Sequence, residues 1–206
     1  EFSFARYVLR LLGLPPALEA TRSGSWGVTS SQTHQRLHKF LGQIMAWSMI
    51  GYYPLEYGAY VQWQAPHLFF PTTGGPSRLA EQLSAWSCRV WLAYIVAEIP
   101  QCWLPLQEET EKAITTTKSK KKIKNSSEEE EPIEPADNAN KAVVKHLQLQ
   151  LVRDLLFTLP AIHWSLPHWD TDPWLPEPIV NTLMWLESVV CMVQSIASFQ
   201  RQQQQQ

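Results

Sequence analysis

The chain is 206 residues long, with a formal net charge of −2 and 45% hydrophobic residues. That length suits one ordinary domain or two small ones, and the lack of a basic surplus argues against a nucleic-acid partner. Charge is unevenly spread: residues 107–141 hold 16 of the 36 Asp, Glu, Lys and Arg side chains, so the rest is charge-poor beside the roughly 25% of a typical soluble domain, which points to contact with lipid.

The first pattern is Phe4, Tyr7, Val8, Leu11 and Leu12, at the spacing of one helical face, with Arg6 and Arg10 elsewhere on the wheel. It predicts a short basic amphipathic helix that closes by Pro15 and Pro16, because proline disfavours helical backbone in the residue before it. A second pattern starts at Gln32, with Leu37, Phe40, Leu41, Ile44 and Trp47 as the stripe, Arg36, His38 and Lys39 largely outside it, and Ser30 or Ser31 as cap. Both helices fit a membrane interface, with Arg6, Arg10, Arg36 and Lys39 at headgroup level, and both fit equally well as partners in a soluble bundle.

Residues 49–61 are aromatic and contain Pro54, which predicts a kinked or broken helix. Pro66, Pro71, Gly74, Gly75 and Pro76 mark a loop, after which a helical pattern resumes from Arg78 to Ile99. Within it, residues 84–99 carry only Arg89 and Glu98 as charges. As a membrane-embedded segment it needs both near its ends or facing other helices, since a charge at the bilayer centre costs about 2.5–3.5 kcal/mol.

Residues 1–106 thus form an N-terminal helical region. Residues 107–141 read as a disordered charged linker, with a lysine block at Lys118–Lys124 and a glutamate block from Glu128. A lipid-contacting switch is the alternative reading of those blocks. In the C-terminal region, residues 142–200, Val144, Leu147, Leu151, Val152, Leu155 and Leu159 predict an amphipathic helix whose polar side holds Lys145, Gln148 and Asp154 and which stops near Pro160. A Trp- and Pro-rich loop follows over residues 161–178. Ile179 to Phe199 is then a 21-residue stretch with Glu187 as its one charge, about 30 Å long as a helix and able to span a bilayer. Asn181, Glu187 and Gln194 are spaced to share a polar stripe facing a partner helix, and a buried core helix is the alternative to a span. Residues 201–206 are a low-complexity tail.

Ten tryptophans, several beside polar or turn residues, suit membrane interfaces, with a Trp-rich soluble core as the alternative. Cys88, Cys102 and Cys191 lie in apolar segments without metal-ligand spacing and are expected to be reduced and buried. Because the chain opens on Glu1, the lack of a signal peptide excludes nothing. His163, His168, Asp170 and Asp172 fit no zinc pattern, and their neighbouring prolines indicate solvated turns. No nucleophile elbow, P-loop, dinucleotide fingerprint or metalloprotease motif is present, so neither catalytic residues nor a metal or cofactor is expected.

Leu147 to Pro167 followed by Pro173 to Phe199 resembles the peroxin-11 family of peroxisomal membrane proteins: a helix with Asp154, an apolar turn ending in His163-Trp164, a loop, and a final apolar helix. Tyr52-Tyr53-Pro54-Leu55-Glu56-Tyr57 looks like the Tyr-Tyr-Pro-x-Glu segment of its gamma or C-type branch, and Phe4 to Leu14 resembles its early helix. Residues 181–187 depart from the Gly- and Ser-rich last helix of the family. The resemblance implies an all-α, membrane-associated protein with amphipathic helices and one or two membrane-spanning or membrane-embedded helices. It also implies peroxisomal membrane elongation and division, self-association with itself and family members, and contact with membrane-fission factors. On that reading Phe4, Tyr7, Val8, Leu11 and Leu12 are a wedge in one leaflet of membrane lipids. The competing expectations are an oligomeric metabolite pore with Arg89, Asn181, Glu187 and Gln194 facing its lumen, and a soluble helical interaction module.

Overall fold

A computed structural model of the chain describes residues 14–24, 26, 34–65, 76–123, 135–167, 169 and 171–204. Among these residues it is all-α, with five helices and no strand: α1 (Leu14–Ser23), α2 (Gln35–Gln64), α3 (Pro76–Ile123), α4 (Pro135–Ser165) and α5 (Glu177–Gln204).

The prolines interrupt less than their chemistry suggests. Pro15 and Pro16 were expected to close a helix and instead sit in the first turn of α1, where a missing N–H costs no intrahelical bond. Pro54 neither breaks nor ends α2, Pro100 and Pro105 lie inside α3, and α4 continues past Pro160 to Ser165. Each interior proline removes one i→i−4 bond, at about 3 kcal/mol. A long helix packed on a neighbour carries that penalty, and the Pro160 ring is itself almost wholly buried. The segment read as a linker is helical over residues 107–123 and 135–141, while 124–134 lie outside the described residues. High charge density removes an apolar face, yet Lys, Glu and Thr are compatible with helix continuation.

The helices pack in chain order, α1 on α2, α2 on α3, α3 on α4 and α4 on α5. Neighbours run antiparallel. Positions 42, 51 and 58 of α2 lie against Gln101, Val90 and Leu83 of α3, and Arg89 and Glu98 of α3 meet Ser165 and Gln150 of α4. Gln150 and Arg153 of α4 also meet Gln194 and Glu187 of α5. The result is an up-and-down array rather than a bundle closed around one core.

Small side chains set the α2–α3 distance. A Cβ added at Gly51 or Gly58 of α2 would meet Val90 or Leu83 of α3 at 3.3 and 3.2 Å, and Ala46 and Ala59 on α2 and Ala80, Ala85 and Ala97 on α3 are buried, so the two helices lie close. Leu41, Met45 and Ala97 form a small cluster with Trp26, Ile44 and Tyr94 packed on it. A chain of rings then crosses the array: Tyr52 of α2 lies 6.1 Å from Trp91 of α3, which meets Phe157 of α4 edge-on at 4.0 Å, and Phe157 lies 6.5 Å from Trp164.

A Cβ added at Gly42 falls 2.6 Å from the Trp26 carbonyl oxygen, whereas one at Gly58 meets only the tip of the Leu83 side chain at 3.2 Å. Gly42→Ala is therefore expected to destabilise the protein by about 1–3 kcal/mol despite the better helix propensity of alanine. Gly58→Ala is expected to be near neutral. Equal melting temperatures for the two variants would contradict this packing.

Candidate functional site

The two predicted stripes that fall among the described residues exist, but each leaves several large apolar side chains outward. Of the α4 stripe only Leu147 is buried, while Val152, Leu155 and Leu159 are exposed and Asp154, assigned to the polar side, is 5% exposed. On α2 only Leu41 of the stripe is buried, whereas Leu37 and Phe40 are exposed, Trp47 is 69% exposed, and His38 is buried. Periodicity identifies a face without saying what it meets. Here the inward faces are set by the small residues of α2 and α3 and by polar groups that find partners across the helices.

Those polar groups form a continuous seam between α3, α4 and α5. Tyr94 Oη donates to Glu98 Oε1 at 3.1 Å, one turn along α3. Gln150 Nε2 of α4 donates both to Glu98 Oε1 at 3.2 Å and to Asp154 Oδ1 at 3.3 Å, tying two buried carboxyl groups to one amide. Gln194 Nε2 of α5 donates to Gln150 Oε1 at 3.3 Å and to the His146 carbonyl at 3.5 Å. Arg153 Nε donates to Glu187 Oε1 at 2.7 Å, and its Nη1 reaches Gln194 Oε1 at 3.5 Å. Three carboxyl groups and one guanidinium share the seam, and each has a hydrogen-bonding neighbour, as burial of charge requires.

The seam is also what holds α5. Val180, Glu187 and Gln194, seven residues apart, are its buried positions, and two of these three contacts are polar. Large apolar side chains make up much of the outward surface: Ile179, Met192, Ile196 and Phe199 are exposed, and Trp185 is 65% exposed. Among the described residues α5 is the one helix long and apolar enough to cross a membrane, over the 23 residues Glu177–Phe199, and only 17% of its apolar window is buried in the protein. A buried core helix would have most of that window covered.

The residues singled out from the sequence separate into three groups. Glu187 and Gln194 face α4, and Asp154 joins the same seam, whereas Asn181 is exposed. His163 and Trp164 sit at the far end of α4, away from Asp154. The His163 ring accepts the Leu175 backbone N–H at Nδ1, 3.3 Å away, and stacks edge-on near Trp169, so it pins the connection to α5. Arg36 and Lys39 are exposed near the start of α2, which begins at Gln35 after an uncapped His34 rather than at Gln32.

Phe4, Arg6, Tyr7, Val8, Arg10, Leu11 and Leu12 lie outside the described residues, as do His168, Asp170 and the caps Ser30 and Ser31. Asp172 is exposed, and among the described residues no group of His, Cys, Asp and Glu is placed to hold a metal ion. Of the cysteines only Cys102 is buried, and Cys88 and Cys191 are half-buried. Tyr94, Gln150 and Arg153 are seam residues that sequence reasoning missed. Their one signal is Arg153-Asp154, an adjacent charge pair inside an otherwise apolar helix.

Comparison of the chain with protein-family models, curated proteins and solved structures returned no match in any of the three.

Arg153→Leu strands Glu187 at 11% side-chain exposure, while Arg153 itself keeps 35%. The loss is therefore expected at the low end of the roughly 3–5 kcal/mol typical of a broken buried pair. Arg153→Leu combined with Glu187→Leu should recover most of it, because the pair is then replaced by apolar contact. A double variant no more stable than the single one, measured by thermal unfolding, would show that the pair contributes little.

Proposed function

We propose that the chain is a non-enzymatic protein of the peroxisomal membrane that helps that membrane elongate and divide. The observation that carries the membrane part of this reading is the inversion just described, with large apolar side chains outward, carboxyl, amide and guanidinium groups inward, and α5 joined to the array by the polar seam. Lipid is the solvent in which such an arrangement is favourable, since outward leucines and tryptophans are then solvated and the seam's carboxyl, amide and guanidinium groups are hydrogen-bonded to one another across the helices. The packing of α4 along α5 takes α4 into the same layer.

The peroxisomal and remodelling part rests on the likeness of residues 147–199, 52–57 and 4–14 to peroxin-11 proteins. In this reading the residues 4–12 wedge expands one leaflet and Arg6 and Arg10 hold anionic headgroups, each basic group contributing about 1 kcal/mol. Copies of the chain, related family members and membrane-fission factors are its partners. Remodelling is favoured over a pore because Glu187 and Gln194, two of the side chains a lumen would need, are already engaged within one chain.

High-pH carbonate extraction of cells expressing the tagged full chain should leave it in the membrane fraction, co-localised with a peroxisomal membrane marker. Release into the soluble fraction would favour the interaction-module reading. With the chain reconstituted in vesicles, Leu11→Glu should suppress tubulation without releasing the protein, whereas conductance altered by Glu187→Ala would favour a pore.

A further inference from the structure

One cleft outside the seam has the chemistry of an anion site. It is about 180 Å³ in volume and lies between the first turns of α3 and the turn after α4, with Arg78, Glu81, Gln82, Trp86, Arg89 and Trp169 in its wall. Arg78, Gln82, Trp86 and Arg89 recur at helical spacing, so one face of α3 presents both guanidinium groups to the same space.

Arg89 is held in position from two sides. Its Nε donates to the Ser165 carbonyl at 2.9 Å, capping the end of α4, and its guanidinium carbon lies 4.7 Å from the centre of the Trp86 ring. Among the described residues neither Arg89 nor Arg78 has a carboxylate partner, and Glu81 is the one acidic group in the wall. The cleft therefore carries a net positive charge, with a planar donor fixed at one side and indoles at its rim.

Its position narrows the ligand. Leu166 and Pro167, which complete the wall, belong to the connection that leads to α5 at Glu177, so the cleft opens at the end of the array where the candidate span begins. Trp86 and Trp174 are both exposed at that end, as indoles are at the boundary between acyl chains and water. We infer that the cleft binds the phosphate of an anionic phospholipid headgroup, with Arg89 and Arg78 supplying charge and hydrogen bonds and the indoles of Trp86 and Trp169 flanking the glycerol side. The lipid source rests on the membrane reading; the phosphate chemistry rests on the cleft alone.

Calorimetric titration of the purified full chain in neutral micelles tests both. The probes are short-chain phosphatidate, short-chain phosphatidylcholine and inorganic phosphate. Phosphatidate is expected to bind more tightly than the other two, and Arg89→Gln to weaken it about ten-fold, the worth of one charged hydrogen bond. Arg78→Gln, at an exposed position that leaves the α4 cap intact, should weaken it as well, and Arg22→Gln on α1 should have no effect. Equal binding of phosphatidate and phosphatidylcholine, or wild-type affinity in both cleft variants, would overturn the site. Equal binding of phosphatidate and inorganic phosphate would overturn the lipid source. Failure of the wild-type chain to float with neutral phosphatidylcholine vesicles would instead count against the membrane reading, whichever way the titration falls.

Discussion

Arg153 and Glu187, 2.7 Å apart, are the point at which α5 is joined to the rest of the array. Around that pair Gln150 and Gln194 extend the contact along both helices, and through Gln150 it continues to Glu98 and Asp154. A polar contact of this kind is sensitive to its surroundings. In water the pair competes with hydration and adds little, whereas in a low-dielectric layer each group must find its partner in the protein or carry a large desolvation cost. The seam is thus a device for specifying how α5 docks without spending apolar surface on the docking, which leaves that surface outward.

The same logic orders the other interfaces. Between α2 and α3 the close approach depends on glycine and alanine, with Gly42 leaving room for the Trp26 backbone to cross. Between α3 and α4 it depends on the edge-on contact of Trp91 with Phe157 and on Arg89 capping α4. Shape complementarity among small residues, ring contacts and interhelical hydrogen bonds hold helices together where apolar contact with the solvent is no penalty.

Much of the helical architecture was legible in the residues, because the 3.6-residue period of Leu37–Trp47 and Val144–Leu159 is a property of the chain itself. The direction of those stripes was not. Val152 and Leu155 read as part of an apolar stripe, and what that stripe meets depends on the neighbours that Asp154 and Gln150 find on α3, which no local window contains. The prolines behave in a related way: Pro54 and Pro160, read as interruptions, and Pro100 and Pro105 each weaken a helix locally, but packing across the array decides whether it continues. Within the seam, Glu187 and Gln194 stood out as polar groups in an apolar run, while Tyr94 and Gln150 are ordinary residues until α3, α4 and α5 are brought together. Asn181 shared the sequence signal of Glu187 and Gln194 and yet points outward, since only positions seven residues apart on this helix stay on the α4 side.

The central claim is that the outward faces meet lipid while the seam does not face water, and spin-label accessibility in reconstituted bilayers tests it most directly. With Cys88, Cys102 and Cys191 replaced by serine, labels are placed at Leu155→Cys on α4, Trp185→Cys on α5 and, as a water-exposed reference, Lys39→Cys on α2. The labels at positions 155 and 185 are expected to be relaxed by dissolved oxygen and shielded from an aqueous nickel chelate, with the opposite response at position 39. Strong relaxation of the labels at 155 and 185 by the nickel chelate would contradict it, because those faces would then be meeting water.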